Sequence, residues 1–184
     1  IEFCNTCKQL GIMNNSSLGA MKIEVCRQEF GQFWLVREPQ KNKIIGVAGC
    51  HQLSIEKKKY LRVLFRGCVL PKYRGLGLST GLSKKHLADI LFKYVLPKQI
   101  KWASEKDVHQ FCLTTNTEKN NSDFSGTAFK ANRVMRILSE QNILLLKYSN
   151  IDIYNTWQNV WEIKKVYCSK NKKLIPLKKF LGQS

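Results

Sequence analysis

The stretch LPKYRGLGLSTGL, Leu70–Leu82, packs three glycines, one arginine and two aliphatic hydroxyls between a proline and an apolar run. The residues before it read as a strand and those after it as a helix. The first backbone N–H groups of a helix have no partner within it, and the helix dipole favours negative charge there. A strand-to-helix junction of this kind therefore suits a phosphate. Gly75 and Gly77 let a ligand approach the backbone with no Cβ in the way. Arg74 adds a fixed cation, and Ser79 and Thr80 can cap the helix or donate to an oxygen. The chemistry of the stretch suits a pyrophosphate.

Two common phosphate loops do not fit it. A Walker loop needs a Gly-Lys pair, and the chain has none. A dinucleotide fingerprint needs Gly-x-Gly-x-x-Gly opening a βαβ unit. Counted from Gly75, the sixth position is Thr80, and several strands come before it.

Working outward, the chain reads as strands, helix, strand, helix, strands. Phe33 to Arg37 and Ile44 to Leu53 are β-rich runs around a turn at Pro39 to Lys43. A third strand covers Tyr60 to Leu70, with Leu61, Val63, Phe65 and Val69 on one face and Arg62, Arg66 and Cys68 on the other. After the loop, Leu87, Ile90, Leu91 and Tyr94 have helical spacing, and Pro97 is expected to end that helix. Val108 to Thr115 reads as a strand. Phe124 to Glu140 follows as a helix with Phe129, Val134, Ile137 and Leu138 on its apolar side. Strands near Ile143 to Tyr148 and Val160 to Tyr167 complete an α/β or α+β layered fold with one mixed sheet. Residues 1–24 form an N-terminal segment with a helix over Leu18 to Ile23, capped by Ser16 or Ser17. Ile1 in place of Met leaves room for a natural start upstream. All 184 residues are expected to form one domain.

The stretch resembles the coenzyme A loop of the GNAT N-acetyltransferases, whose pattern is Gln/Arg-x-x-Gly-x-Gly/Ala after a strand ending in V-x-P-x-Y-R-G. CVLPKYRGLGLS supplies Val69, Pro71, Tyr73, Arg74, Gly75 and Gly77. It departs at the last position, where Ser79 stands in place of Gly or Ala, a small change that still leaves a donor. The likeness covers roughly Phe33 to Tyr167. It implies a mostly antiparallel mixed central sheet, helices on both faces and a splayed pair of central strands. It further implies that acetyl-CoA inserts its pantetheine arm between those strands. Cys68, Val69 and Leu70 would pair with the pantetheine amides, and the amides of Arg74, Gly75, Leu76, Gly77, Leu78, Ser79 and Thr80 would hold the pyrophosphate. Asn116 stands where the family often has a cofactor-binding asparagine. An acceptor amine would attack the thioester directly, its carbonyl polarised by a backbone N–H such as that of Val69.

The acid and base depart from the family pattern. Leu138, in ILSEQNI, occupies the place of the family tyrosine that protonates the thiolate. Tyr148 and Tyr154 are the replacement candidates. His51 and His109 are the candidate bases, since histidine titrates near neutral pH.

Composition bounds the partners. Of the 184 residues, 43% are hydrophobic and 10% aromatic, as in a globular chain. No apolar run reaches the length of a membrane span. The seven cysteines are an odd set lying mostly in apolar segments, which fits reduced thiols in the cytoplasm. Cys4 and Cys7 have the spacing of half a zinc site, without a second pair, so no metal is expected. The net charge of +18 attracts polyanions, including nucleic acid. The tail from Lys164 holds seven lysines by Lys179 and no acid. Two alternatives to an N-acetyltransferase of unknown amine substrate follow from that charge. One is a GNAT-fold enzyme modifying nucleic acid: SGTAFKANRV presents Gly126, Phe129, Lys130, Ala131 and Asn132 in an order similar to the phage Mom-like proteins, which modify adenine in DNA. The other is a polyanion-binding protein without catalysis.

Overall fold

The computed structural model describes residues 31–73, 90–117, 119 and 125–182. Three antiparallel strands come first: β1 (Gln32–Glu38), β2 (Lys43–Ile55) and β3 (Lys58–Val69). A single 3-10 turn, Pro71–Tyr73, follows β3. A wide helical turn over Leu91–Val95 leads into α1 (Leu96–Ser104). Then come β4 (Phe111–Asn116), α2 (Ser125–Glu140), β5 (Leu144–Ile153) and β6 (Thr156–Ile163). The C-terminal part is a hairpin of β7 (Lys165–Cys168) and β8 (Lys173–Pro176), closed by the short α3 (Leu177–Phe180).

The main sheet has the order β1-β2-β3-β4-β6-β5. Every neighbouring pair is antiparallel except β3 and β4. Parallel strands need a crossover, and the helical segment ending in α1 supplies it. Cross-strand partners share a face of the sheet, so the register divides the side chains. Leu61, Val63, Phe111, Leu113, Trp161 and Ile163 lie on one face. They pack with Leu96 and Ile100 of α1 and with Met135 and Leu138 of α2 into the largest apolar cluster. Both long helices among the described residues thus cover this face. The helix expected over Leu18 to Ile23 lies outside the described residues.

Three expectations need correction. Pro97 does not end its helix, because Leu96 donates its N–H to Leu91 O, five residues back. That wide turn carries the chain past the ring and missing donor of proline, and α1 continues to Ser104. Phe65 does not share a face with Leu61 and Val63. Leu64 and Arg66 have left-handed φ values of 49° and 53°, and the β2–β3 register shifts beside them. These bulges add residues to one strand and cancel the two-residue alternation. Phe65 consequently lies against the Arg62 guanidinium and meets the His51 ring edge to face. Finally, the run expected over Val160 to Tyr167 breaks at Lys164 between two sheets, and the lysine-rich stretch forms a hairpin with Val166, Tyr167 and Ile175 buried.

Candidate functional site

The parallel neighbours β3 and β4 are paired at only two positions, Leu61 with Phe111 and Arg62 with Cys112. Beyond Arg62 each strand is anchored on its own far side. The upper part of β3 stays with β2 through Val47–Cys68 and Gly46–Val69, and Leu70 N–H donates to Ile45 O at 2.9 Å. The upper part of β4 stays with β6 as far as Asn116–Gln158. The junction thus forks in its backbone pairing after Arg62–Cys112. The mouth of this fork is at the C-terminal ends of two parallel strands, the side on which open α/β sheets bind ligands.

Each arm has its own polar brace. On the β3 arm, Gln99 of α1 is fully buried. Its Oε1 accepts the Leu64 N–H at 3.0 Å, and its Nε2 donates to Gly49 O at 3.0 Å. One amide side chain thereby satisfies backbone groups that the bulges remove from the ladder. On the β4 arm, Thr115 donates to Asn132 Oδ1 at 2.6 Å and Asn132 Nδ2 to Asn116 O at 2.7 Å. Trp161 Nε1 donates to Thr115 Oγ1 at 2.9 Å, and Asn159 Nδ2 reaches Asn132 Oδ1 at 3.0 Å.

A buried guanidinium pins the vertex. Arg62 is 8% exposed and stands on the last β3 position that pairs with β4. Its Nε donates to Thr114 Oγ1 on β4 at 2.8 Å, and its Nη2 to Gln158 Oε1 on β6 at 2.6 Å. Nη1 lies 3.5 Å from His51 Nε2 on β2, and the plane stacks over Phe65 at 4.3 Å. One side chain ties four strands together, using the planar fork of donors that only arginine offers. Burial brings its pKa down to about 10, so the charge persists at neutral pH.

The sequence-derived site residues fall into distinct places. Cys68, Val69 and Leu70 form the end of the β3 arm and are buried; Asn116 ends the β4 arm across the mouth. The loop Arg74, Gly75, Leu76, Gly77, Leu78, Ser79 and Thr80 lies outside the described residues. Its entry is described: Tyr73 O–H donates to Glu38 Oε2 at 2.8 Å, fastening the turn after β3 to β1. That bond raises the Tyr73 pKa, because the phenol donates to a carboxylate.

His51 is 1% exposed. Its Nδ1 lies 3.0 Å from Gln52 O, which makes that nitrogen the protonated one and leaves Nε2 to accept from Arg62. Burial first, and the Arg62 charge second, lower its pKa to about 4. With both nitrogens engaged, it does not fit the general-base role expected for it. His109 is exposed and precedes β4, at the closed end of the fork. Tyr148 is half-buried on β5 and hydrogen-bonded to Tyr60 on β3, so the two rings bridge the face that carries Arg62 and Cys112. Leu138 is fully buried in the core. Burial pushes the Cys50 and Cys112 thiols up to about 12, which removes both as nucleophiles at neutral pH.

The same face carries a cleft of about 720 Å³ between the ends of the β2–β3 and β5–β6 hairpins. Leu53, Ile55, Ile151 and Ile153 give it apolar walls, with Glu56, Asp152, Lys59 and Tyr154 among its polar positions. Its floor cluster includes Tyr60 and Cys112, the latter at the vertex of the fork. Neither the cleft nor the Arg62 cluster was legible in the sequence. An arginine between apolar residues in a strand was the one available signal. Among the described residues no group of three or more His, Cys, Asp or Glu side chains could hold a metal, and no helix is long and apolar enough to cross a membrane.

No protein-family model, curated protein or solved structure matches this chain.

Proposed function

We propose that the protein is an acyl-CoA-dependent N-acyltransferase of the GNAT type, with acetyl-CoA as donor and an amine as acceptor. The fork between β3 and β4 is the observation that carries this reading. Backbone pairing between them ends at Arg62–Cys112, and an extended, amide-bearing arm can add to strand edges that no longer pair with each other. The strand order supports it, because it sets one parallel pair in the middle of an antiparallel sheet. So does the position of the glycine-rich loop, which follows the β3 arm directly and would hold a pyrophosphate at the mouth.

In this reading the acceptor approaches from the cleft. Glu56 and Asp152 outnumber Lys59 in the lining and attract a cationic amine in a chain of net charge +18, and the aliphatic walls take its carbon chain. The ammonium first gives a proton to bulk water. The neutral amine then attacks the thioester carbonyl, an N–C bond forms, the C–S bond breaks, and the thiolate of coenzyme A leaves with the electron pair. The nitrogen's surplus proton replaces the one the thiolate takes up. Tyr148 is the proposed proton donor to that thiolate, since its bond to Tyr60 holds it over the vertex. His51 serves as a positioning residue that holds Arg62.

The test is amine-dependent release of free thiol from acetyl-CoA, measured across polyamines and lysine-containing peptides. Tyr148→Phe should lower kcat by about 10²-fold with KM for acetyl-CoA unchanged. Failure of any amine to accelerate thiol release would remove the proposal. An unchanged kcat in Tyr148→Phe would remove the role given to that residue.

A further inference from the structure

The chain carries more positive charge than an acyl-CoA site needs, and the excess is not spread evenly. The wide turn with α1 (residues 90–104) holds three lysines, and residues 164–182 hold seven; neither segment has an Asp or Glu. The fold brings these distant segments together. Leu96 and Ile100 share a core with Val166, Leu174, Leu177 and Phe180, and Lys93 Nζ sits 5.2 Å from the ring centroid of Tyr167. Lys164 pairs with Glu162 at 2.6 Å and Glu105 directly follows α1, so the acid-free character belongs to the lysines between them. Several lysines elsewhere have acidic neighbours. Lys41 faces Glu38 at 4.0 Å, Glu56 precedes Lys57–Lys59, and Lys106 stands between Glu105 and Asp107. Codon bias would enrich lysine everywhere; it does not by itself place Lys98, Lys101, Lys172, Lys173 and Lys178 on packed neighbouring elements that carry no Asp or Glu of their own.

The layout on this surface points to a polymer. Tyr94, Lys98 and Lys101 follow i, i+4, i+7 spacing and are all exposed, so they form a stripe along the helix. Lys172, Lys173 and Lys178 are exposed on the neighbouring hairpin and α3. Tyr94 is 52% exposed, with Lys93 Nζ at 5.4 Å from its ring centroid. An aromatic ring held on a helix among lysines offers a base a face to stack on while the cations meet the backbone. A duplex hides its base faces; a single strand presents them.

We propose that the surface formed by α1 and the C-terminal hairpin docks single-stranded nucleic acid. This does not depend on the acyltransferase reading, and neither test decides the other.

The experiment is fluorescence anisotropy of a labelled oligo(dT) of about 20 nucleotides, titrated at several salt concentrations. The wild type should bind with affinity falling steeply in salt, the log–log slope changing by about 0.7 per phosphate contacted. The triple variant Lys98→Gln, Lys101→Gln, Lys173→Gln should lose at least about tenfold in affinity and about two units of slope. The triple Lys57→Gln, Lys58→Gln, Lys59→Gln removes the same charge elsewhere and should stay within about twofold of wild type. Tyr94→Ala should weaken binding by about tenfold at an unchanged slope. All the positions substituted are exposed, and unchanged melting curves confirm that each variant folds. Absence of oligo(dT) binding at low salt, equal losses in the two triples, or a duplex that competes as well as oligo(dT) would each overturn the proposal.

Discussion

Arg62 shows how much of this fold rests on one side chain. It stands where backbone pairing between β3 and β4 stops, and its guanidinium continues the attachment through Thr114 and Gln158. A buried cation without a carboxylate is costly, and neutral acceptors with an aromatic face must offset that cost. His51 is part of the arrangement and makes it sensitive to acid. Its pKa is about 4 in the folded protein against an ordinary value of 6.5. As pH falls below about 6.5, the unfolded chain takes up a proton that the folded chain refuses, so stability is lost until about pH 4, where both are protonated. The loss should approach about 3 kcal/mol. Urea unfolding followed between pH 7 and 4 should show this decline, and His51→Asn should flatten it by most of that amount. Equal slopes in the two proteins would mean that His51 is not held neutral by Arg62 and burial. In the sequence, Arg62 reads as an outward residue of an alternating strand. Nothing local signals that three other strands close over it, because its partners lie 11, 52 and 96 positions away.

Local pattern and element geometry part company in β3 and α1. The alternation of Tyr60 to Leu70 is legible and correctly gives a strand, but the left-handed residues Leu64 and Arg66 shift the faces halfway along it. Neither residue is a glycine or asparagine, so no turn signal announces the bulge. Proline likewise reads as a helix end at residue 97, whereas a turn with a hydrogen bond five residues back lets the helix pass it. The two irregularities are linked through Gln99, which sits in α1 just past Pro97 and bonds the bulged backbone at Leu64. Gln99→Leu keeps the size and removes the bonds, leaving the Leu64 N–H and the Gly49 carbonyl buried without this partner. Chemical denaturation should show a loss of about 2 kcal/mol. A loss below about 0.5 kcal/mol would mean that the brace contributes nothing beyond packing.

At the scale of the whole molecule, composition and element order were informative and tertiary connections were not. The succession of strands and helices, with a helical crossover between β3 and β4, was readable from periodicity, since each element carries its own spacing of apolar residues. A splayed pair was expected from the family resemblance alone; the point where β3 and β4 stop pairing was not readable, because strand pairing depends on partners across the sheet. Nor was the folding of the lysine tail, whose buried Val166, Tyr167 and Ile175 are too few to outweigh seven lysines in a composition-based reading. The glycine-rich loop was prominent in sequence, and the structure anchors its entry through Tyr73 and Glu38. The fork and that loop together make the central claim a statement about a ligand: one molecule with a diphosphate at the mouth and an extended thioester arm between the strands. The most direct measurement is thermal unfolding of dialysed protein with increasing coenzyme A, beside a Gly77→Trp variant. Binding at about 100 times Kd adds about 2.7 kcal/mol of stability, a saturable rise of several degrees in Tm. The account predicts that rise in the wild type and none in Gly77→Trp, with the two proteins melting alike in the absence of ligand. A wild-type Tm that does not move at millimolar coenzyme A, or a variant that is stabilised as much as the wild type, would contradict it.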